Sequence, residues 1–169
     1  ATNGGIIKID QNTGRTEKYS MDNGLPHNKI NSLFISPDGN IWVASKSNGL
    51  VSLDNKKHFK MEGIPEIEFT GIAMDKKGNL WASTYGDGVF CFRKDSVIHL
   101  SENEGLKSDY GYFIISDPDG NLWTGHRMGL SRINSNTFKV LTYGIELGIR
   151  GGCNLNAANA SDEGVLRFG

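Results

Sequence analysis

A four-residue pattern recurs three times along this chain at a spacing of about 40 residues. In each copy a glycine is followed by asparagine, an aliphatic residue and tryptophan, at residues 39–42, 78–81 and 120–123. A weaker fourth copy, without the tryptophan, begins at Gly164. Short strands and tight turns repeated at this period are typical of a β-propeller, in which each repeat forms one four-stranded antiparallel blade. The pattern therefore predicts an all-β propeller segment of about four blades, and it places function in the residues that differ between copies.

The repeat also predicts where each blade begins and ends. In every full copy one strand precedes the Gly-Asn turn, at 30–36, 69–75 and 111–117, and the tryptophan lies on the second strand, at 41–45, 80–84 and 122–126. A third strand follows another glycine, at 50–54, 89–93 and 130–134, and a looser fourth strand completes the unit, at 58–62, 97–101 and 138–143. β-Branched and aromatic residues are enriched in these short segments, as expected for strands. We expect a single propeller segment over residues 1–169, divided into a half blade at 1–23, full blades at 24–62, 63–104 and 105–144, and a half blade at 145–169.

The two half blades leave two interpretations open. The first half blade supplies only third and fourth strands and the last supplies only first and second strands, so the two are complementary. They could pair and close a four-bladed ring, or the chain could be a segment of a longer array that completes each half elsewhere. Because four blades is the low end of the range for propellers, we favour the longer array. If the two half blades stay unpaired, their exposed strand edges would aggregate or recruit a second copy of the chain.

Composition excludes several classes of function. With 18 Lys and Arg against 19 Asp and Glu, the net charge is −1, so nothing indicates a nucleic-acid surface or a polybasic membrane patch. No apolar run approaches the roughly 20 residues that span a bilayer. Two cysteines are too few to define a zinc site or a disulfide framework. Cys91 is predicted to be a small buried residue of its strand, a disulfide with Cys153 is the minor alternative, and no cofactor is expected.

Two conspicuous motifs are predicted to be structural. The run Asp-Pro-Asp-Gly-Asn at 117–121 resembles half of a calcium loop but lacks the later glutamate, and its counterparts at 36–40 and 75–79 fit hairpin turns. The tryptophans lie on strands that we expect to be buried on both faces, where they pack blade against blade. We therefore expect neither a metal site in these turns nor a ligand-stacking platform at the tryptophans.

Three motifs of the first repeat occur at the spacing of a known family. They are Gly-Leu-Pro-His-Asn-Lys-Ile at 24–30, Asp-Gly-Asn-Ile-Trp-Val-Ala-Ser at 38–45 and Gly-Leu-Val-Ser-Leu-Asp at 49–54. Together they resemble the two-component regulator propeller repeat, and the resemblance extends over essentially the whole chain. The second repeat departs from the pattern by lacking the asparagine found at Asn28, and the fourth by lacking the tryptophan.

The resemblance implies a function as well as a fold. In that family, paired seven-bladed propellers form the periplasmic sensor of hybrid two-component regulators in gut Bacteroidetes, ahead of a membrane helix and a histidine kinase. It implies a non-enzymatic periplasmic module, in the ectodomain of an inner-membrane protein, that binds an oligosaccharide and relays binding to the kinase. The implied partners are neighbouring blades and domains of a full protein that dimerises, with no nucleic acid bound by this segment. The divergent fourth repeat places the segment near the C-terminal end of such a propeller.

The repeat also predicts a ligand-binding face. In a propeller, the loops that lead into the innermost strand and those that join the second and third strands share one face, which is the usual binding site. Both sets are mainly polar and aromatic: His27, Asn28, Lys29, Glu66, Glu68, Lys107, Asp109, Tyr110 and Arg150 in the first, and Lys46, Tyr85, Asp87, His126, Arg127 and Met128 in the second. Planar side chains beside charged groups suit a sugar, whose apolar face stacks while its hydroxyls form hydrogen bonds. The expected ligand contacts, in order, are Tyr110, Arg127 and Tyr85, then Asp87, Lys46, His126 and Arg150.

Two other functions stay open at this point. Propellers commonly bind proteins, so the chain could be an interaction or dimerisation scaffold. Propeller lyases and lactonases carry similar Gly-Asn-Leu-Trp turns, and their catalysis needs a positioned base. Of the four histidines, only His27 and His126 are expected near the loop face, because His58 and His99 fall on outer strands. No catalytic residue is therefore predicted.

Overall fold

The computed structural model describes residues 4–25, 27–45, 49–53, 58–59, 67–149, 151–161 and 164–169. Its strands are β1 (Ile6–Ile9), β2 (Thr16–Tyr19), β3 (Ile30–Ile35), β4 (Ile41–Ser45), β5 (Leu50–Ser52), β6 (His58–Phe59), β7 (Phe69–Met74), β8 (Leu80–Thr84), β9 (Val89–Phe92), β10 (Val97–Leu100), β11 (Phe113–Ser116), β12 (Leu122–His126), β13 (Gly129–Ile133), β14 (Val140–Tyr143), β15 (Ala158–Ala160) and β16 (Leu166–Phe168). Short 3-10 helices span Met21–Asn23, Glu102–Glu104 and Ile145–Leu147. Within the described residues, no helix has the length and hydrophobicity that a membrane crossing requires.

The strands join into small antiparallel sheets. In the described part of the chain, three sheets have four strands, in the orders β3-β4-β5-β6, β7-β8-β9-β10 and β11-β12-β13-β14, and two sheets have two strands, β1-β2 and β15-β16. Four-stranded meanders that repeat along the chain are propeller blades, so the predicted all-β fold class is confirmed. The predicted boundaries of the blades, and how each two-stranded sheet is completed, stay predictions.

The strand positions follow the local sequence closely, with two informative exceptions. The tryptophan strands β4, β8 and β12 have the predicted bounds. β11 begins at Phe113 and not at Gly111, because the Gly111 N–H donates to the Thr84 carbonyl of the neighbouring sheet. β14 begins at Val140 and not at Phe138, because Phe138 has a φ of 59° and closes a turn onto the Asn134 carbonyl. In both cases a turn or a contact outside the sheet shortens the strand.

The chain divides into two compact units, residues 1–69 and 70–169. The core of the first unit contains Ile6, Leu25, Ile41 and Val43. The core of the second unit contains Ala73, Trp81, Val89, Cys91, Leu100, Leu106, Ile114, Leu122 and Ile133. Apolar residues on successive strands of each sheet supply these cores, as expected for strands that are covered on both faces.

In the second unit, the turn aspartates also bind the tryptophans. The indole N–H of Trp81 donates to Asp75 Oδ2 at 2.9 Å, and that of Trp123 donates to Asp117 Oδ2 at 2.9 Å. The other oxygen of each carboxylate accepts the N–H of the asparagine four residues later, at 2.9 and 2.8 Å. The aspartates are therefore turn residues, as predicted. Trp81 is fully buried in the core, also as predicted, whereas Trp123 is only partly buried.

Both cysteines are free thiols, with Cys91 buried and Cys153 partly buried. Cys91 occupies the core of the second unit, which confirms its predicted packing role. Burial, assisted by the nearby Asp75 carboxylate, raises the pKa of the Cys91 thiol to about 11. The thiol is therefore protonated and unreactive at neutral pH.

Candidate ligand-binding site

Two loops of the second unit lie side by side and form the candidate site. They are the 85–88 loop, which joins β8 to β9, and the 107–112 loop, which precedes β11. The N–H of Gly111 donates to the Thr84 carbonyl at 2.8 Å, and an antiparallel bridge pairs Tyr85 with Tyr110. Because backbone hydrogen bonds hold the loops together, little ordering remains to be done when a ligand binds.

The two loops expose a cluster of aromatic rings. Tyr85 and Tyr110 meet edge to face, with ring centroids 5.2 Å apart and ring planes at 86°, a favourable geometry for aromatic pairs. A methyl group placed on Gly86 would lie 3.5 Å from Tyr110 Cε1, so the ring packs over the backbone of the 85–88 loop. Tyr85 is 50% exposed and Tyr110 is 49% exposed. Both side chains are therefore held in place and open to a ligand.

A third tyrosine, absent from the predicted site, belongs to the same cluster. The ring of Tyr112 lies 6.5 Å from that of Tyr85, with an angle of 23° between the planes. Residues two apart in an extended segment lie on the same face. The spacing of Tyr110 and Tyr112 was therefore the signal in the sequence that could have identified it.

The carboxylates of the two loops differ in how far the fold already uses them. Asp109 Oδ1 accepts the N–H of Glu102 at 2.7 Å, and Glu102 Oε1 accepts the N–H of Asp109 at 3.2 Å, so this pair shapes the loop. Asp87 is held through its backbone. Its N–H donates to Thr84 Oγ1 at 2.9 Å and its carbonyl accepts from His99 Nε2 at 2.8 Å. Asp87 is exposed, and it supplies the carboxylate of the 85–88 loop.

The structure corrects the expectation that His126 contacts a ligand. Its side chain is fully buried at the end of β12. Nδ1 lies 3.0 Å from the Tyr110 carbonyl oxygen and Nε2 lies 2.9 Å from Ser131 Oγ. Burial lowers the pKa of this imidazole from its ordinary value, against the opposing effect of the Tyr110 carbonyl. His126 therefore supports the 107–112 loop from beneath and presents no surface to a ligand.

The other predicted contacts are distributed along the chain. Arg127 and Met128 are exposed on the turn between β12 and β13. A Cβ on Gly152 would lie 2.4 Å from the Arg127 carbonyl oxygen, so the backbone at Gly152 packs directly against this turn. The structure brings Tyr85 and Tyr110 together, and it places Arg127 on the β12–β13 turn of the repeat that carries Tyr110. Three residues of the predicted loops lie outside the described residues: Lys46, Glu66 and Arg150.

In the first unit, the fold uses several polar side chains of the predicted loops. Asn28 Oδ1 accepts the N–H of Met21 at 2.9 Å. His27 Nδ1 accepts the N–H two residues later at 2.8 Å. Glu68 Oε1 accepts from the amide of Asn31 at 3.3 Å. The tyrosine cluster of the second unit is therefore the better candidate site.

Comparison with known proteins identifies the repeats. The two component regulator propeller family matches residues 24–47 and 63–86. Two of the repeats are two-component regulator propeller repeats. The second matched stretch ends at residue 86, just after Tyr85, so the 85–88 loop begins inside it. No curated protein matches the chain in sequence.

Solved structures share the fold that these regulator-propeller repeats build. The extracellular domain of BT3049 from B. thetaiotaomicron, assigned to a hybrid two component system, has a TM-score of 0.83 and 22% identity over 98% of this chain. That of BT4673 from the same organism, with the same assignment, has a TM-score of 0.77 and 21% identity over 99%. This chain spans 24% and 26% of those two chains. Virginiamycin B lyase from Staphylococcus aureus has a TM-score of 0.75 and 19% identity over 96% of this chain and 55% of its own. At these identities the likeness shows the fold alone.

Proposed function

We propose that this chain is a non-enzymatic sensor module of a hybrid two-component signalling protein. It lies in the periplasm, binds an oligosaccharide on the loop face of its blades and relays binding to a histidine kinase elsewhere in the full protein, which acts as a homodimer. The observation that carries the proposal is the pair of two-component regulator propeller repeats at residues 24–47 and 63–86. The fold shared with extracellular domains from B. thetaiotaomicron supports it.

The tyrosine cluster supports the choice of ligand and of site. An exposed tyrosine ring offers an apolar surface on which the C–H face of a sugar can stack, and its hydroxyl can bind a sugar hydroxyl. Tyr85 and Tyr110 are both half exposed, and they are held by their loops and by each other. The exposed Asp87 lies two residues after Tyr85, and its carboxylate is a strong acceptor for hydroxyl donors. These groups are the ones that we propose contact the oligosaccharide.

A propeller lyase is the second candidate, since virginiamycin B lyase from Staphylococcus aureus has the same fold. Acid–base catalysis needs a base that reaches the proton it removes. His126 is the histidine that contacts the backbone of Tyr110, but it is fully buried and both of its ring nitrogens have partners in the protein. That arrangement favours the sensor.

The test of this proposal is a glycan screen with the purified protein. Binding to the native state alone stabilises it by about 2.7 kcal/mol at a hundredfold excess over Kd, so the melting temperature should rise with one class of depolymerised plant or host glycan. Calorimetry then measures Kd for that glycan. Replacing either ring, in Tyr85→Ala or Tyr110→Ala, should raise Kd by at least about tenfold, which corresponds to 1.4 kcal/mol of lost contact.

Two controls separate stacking from unrelated effects. Tyr110→Phe keeps the ring and should retain most of the affinity, whereas Val97→Ala removes an exposed apolar side chain from β10 and should leave Kd unchanged. A glycan that binds Tyr85→Ala and Tyr110→Ala as well as the wild type would place the site elsewhere. No response to any glycan, together with a stable complex with another protein, would favour the interaction scaffold. Turnover of a glycan-derived ester or lactone would favour an enzyme.

A further inference from the structure

Two buried residues of the third repeat differ in kind from their counterparts in the other repeats. His126 ends β12, where the first two repeats have Ser45 and Thr84 at the ends of β4 and β8. Ser131 lies two residues after Gly129, where the corresponding residues after Gly49 and Gly88 are the apolar Val51 and Phe90. Both His126 and Ser131 have no exposed surface. A buried polar pair is costly unless each group has partners, so these two departures from the repeat call for an explanation.

The pair holds both ends of the segment that carries Tyr110. The N–H of Lys107 donates to Ser131 Oγ at 2.9 Å, and His126 contacts the Tyr110 carbonyl oxygen at 3.0 Å and Ser131 Oγ at 2.9 Å. Because Ser131 Oγ accepts the Lys107 N–H, its own hydrogen is free to be donated to Nε2 of His126. A carbonyl can only accept, so Nδ1 carries the imidazole hydrogen and donates it to Tyr110. Every group in this network is satisfied when the imidazole is neutral.

We propose that His126 is a pH-sensitive positioning residue, which in its neutral form fixes residues 107–110 and so sets the place of the Tyr110 ring beside Tyr85. Protonation keeps the bond from Nδ1 to Tyr110 but turns Nε2 into a second donor that faces Ser131. The Ser131 hydroxyl then loses its acceptor in a site that has no exposed surface. Ser131 Oγ has two lone pairs and can accept from both Nε2 and the Lys107 N–H, so the cost of the unpaired hydroxyl hydrogen weakens the hold on the Lys107 end of the segment without removing the bond. The effect of this weaker hold on a ligand rests on the proposed function.

Burial and the nearby charges together set the pKa of His126. Burial is the largest influence and lowers its pKa below the ordinary 6.5, and Lys107 acts in the same direction. The Tyr110 carbonyl, Asp109 and Glu102 act in the opposite direction. Arg127, exposed and next along the chain, is a further charged neighbour, and the Cys153 N–H donates to the His126 carbonyl at 3.0 Å. Below pH 6.5, His126 therefore binds fewer protons in the folded protein than in the unfolded chain. Its contribution to stability is fully present above pH 6.5 and declines as the pH falls below that value.

The experiment uses the ligand-free protein, so its outcome does not depend on the proposed function. The ¹⁵N shifts of the His126 ring are followed by NMR between about pH 4.5 and pH 8, a range that spans ordinary histidine titration. We expect the Nδ1-protonated tautomer at neutral pH, a titration midpoint below 6.5, and shifts of the Lys107 and Tyr110 amide signals with the same midpoint. An Nε2-protonated tautomer at neutral pH would overturn the proposal, and so would Lys107 and Tyr110 amide signals that do not shift as His126 titrates.

Substitutions add a readout that a merely structural role would not move. His126→Asn keeps a donor near the place of Nδ1 and cannot titrate, so the fall in melting temperature from about pH 7 to pH 5 should be smaller than in the wild type. His126→Thr, which installs the residue of the second repeat, should also lose that pH dependence and shift the Tyr110 amide signal. His99→Gln, a histidine replacement on β10, should keep the wild-type dependence. A wild-type pH dependence in His126→Asn would contradict the proposal, and if neither variant folds the wild-type titration still decides.

Discussion

At the scale of single residues, the aspartate that opens the Gly-Asn turn has two roles in the second unit. One oxygen of Asp75 accepts backbone N–H groups of its own turn, and the other accepts the indole N–H of Trp81. Asp75 is 6% exposed and Trp81 is fully buried. A buried donor that loses its acceptor keeps the full cost of its desolvation. The turn and the core are therefore tied together through one carboxylate.

This tie predicts the effect of removing the carboxylate. Asp75→Ala should lower the free energy of unfolding by about 1–3 kcal/mol, because the buried indole N–H of Trp81 loses its partner. The measurement is chemical denaturation, followed by tryptophan fluorescence. Lys77→Ala changes an exposed residue of the same turn and should stay within about 0.5 kcal/mol of the wild type. Equal stabilities of the two variants would mean that the bond to Trp81 contributes nothing measurable.

At the scale of elements, the hairpin between the third and fourth strands depends on the glycine where the third strand begins. Gly88 has a φ of 70°, and a Cβ there would lie 2.2 Å from the Leu100 carbonyl oxygen. Gly129 has a φ of 139°, and its Cβ would lie 2.1 Å from the Tyr143 carbonyl oxygen. The fourth strand can come this close only where no side chain intervenes. Because an added Cβ would clash in the same way at Gly88 and at Gly129, we infer that the blade requires a glycine at this position.

A pair of glycine substitutions separates this clash from backbone strain. Gly78 also has a positive φ, of 80°, but a Cβ there would meet nothing within 4 Å. Gly78→Ala should therefore cost only the left-handed conformation, about 1–2 kcal/mol. Gly88→Ala should cost more, because the Leu100 strand must also move. Thermal unfolding of both proteins measures the difference, and equal losses of stability would show that the hairpin accommodates the methyl group.

The elements also show how far sequence reasoning reached. Strands β4, β8 and β12 lie between a Gly-Asn turn and a polar loop, and these local signals were enough to place both of their ends. Phe138 was predicted to begin the fourth strand of its repeat, but it takes a left-handed conformation and stacks on Trp81 at 5.8 Å. A contact between neighbouring sheets thus overrode the intrinsic preference of the residue, and such contacts are not visible in a propensity.

At the scale of the whole molecule, two buried or partly buried groups make stability depend on pH. The contribution of neutral His126 to the stability of the fold is lost as the pH falls below 6.5. Although partial burial opposes it, the hydrogen bonds from Trp123 and Asn121 and the nearby Arg132 hold the pKa of Asp117 below its ordinary value of 3.8. The folded state therefore favours the Asp117 carboxylate, and its contribution is present above pH 3.8 and lost as the pH falls below that value.

The two groups can be separated by substitution. In Asp117→Asn the decline in melting temperature below pH 3.8 should be shallower than in the wild type, because this group no longer takes up a proton. Asp119→Asn, at an exposed position of the same turn, serves as the control and should keep the wild-type profile. Melting curves recorded across the acid range make the comparison. An unchanged profile in Asp117→Asn would remove Asp117 from the account of acid sensitivity.

The sequence by itself determined the repeat, the succession of strands, and the loops in which Tyr85 and Tyr110 lie, because period, turn residues and strand alternation are local properties. Only the tertiary structure decided which loop residues are available to a ligand. His126 and its neighbour Arg127 were both predicted to contact a ligand. Arg127 is exposed, whereas His126 is buried and its ring nitrogens contact Tyr110 and Ser131 on other segments. The role of Ser131 was invisible for the same reason. Exposure and hydrogen-bond partners depend on segments that come together only when the blade folds, so no local sequence pattern predicts them.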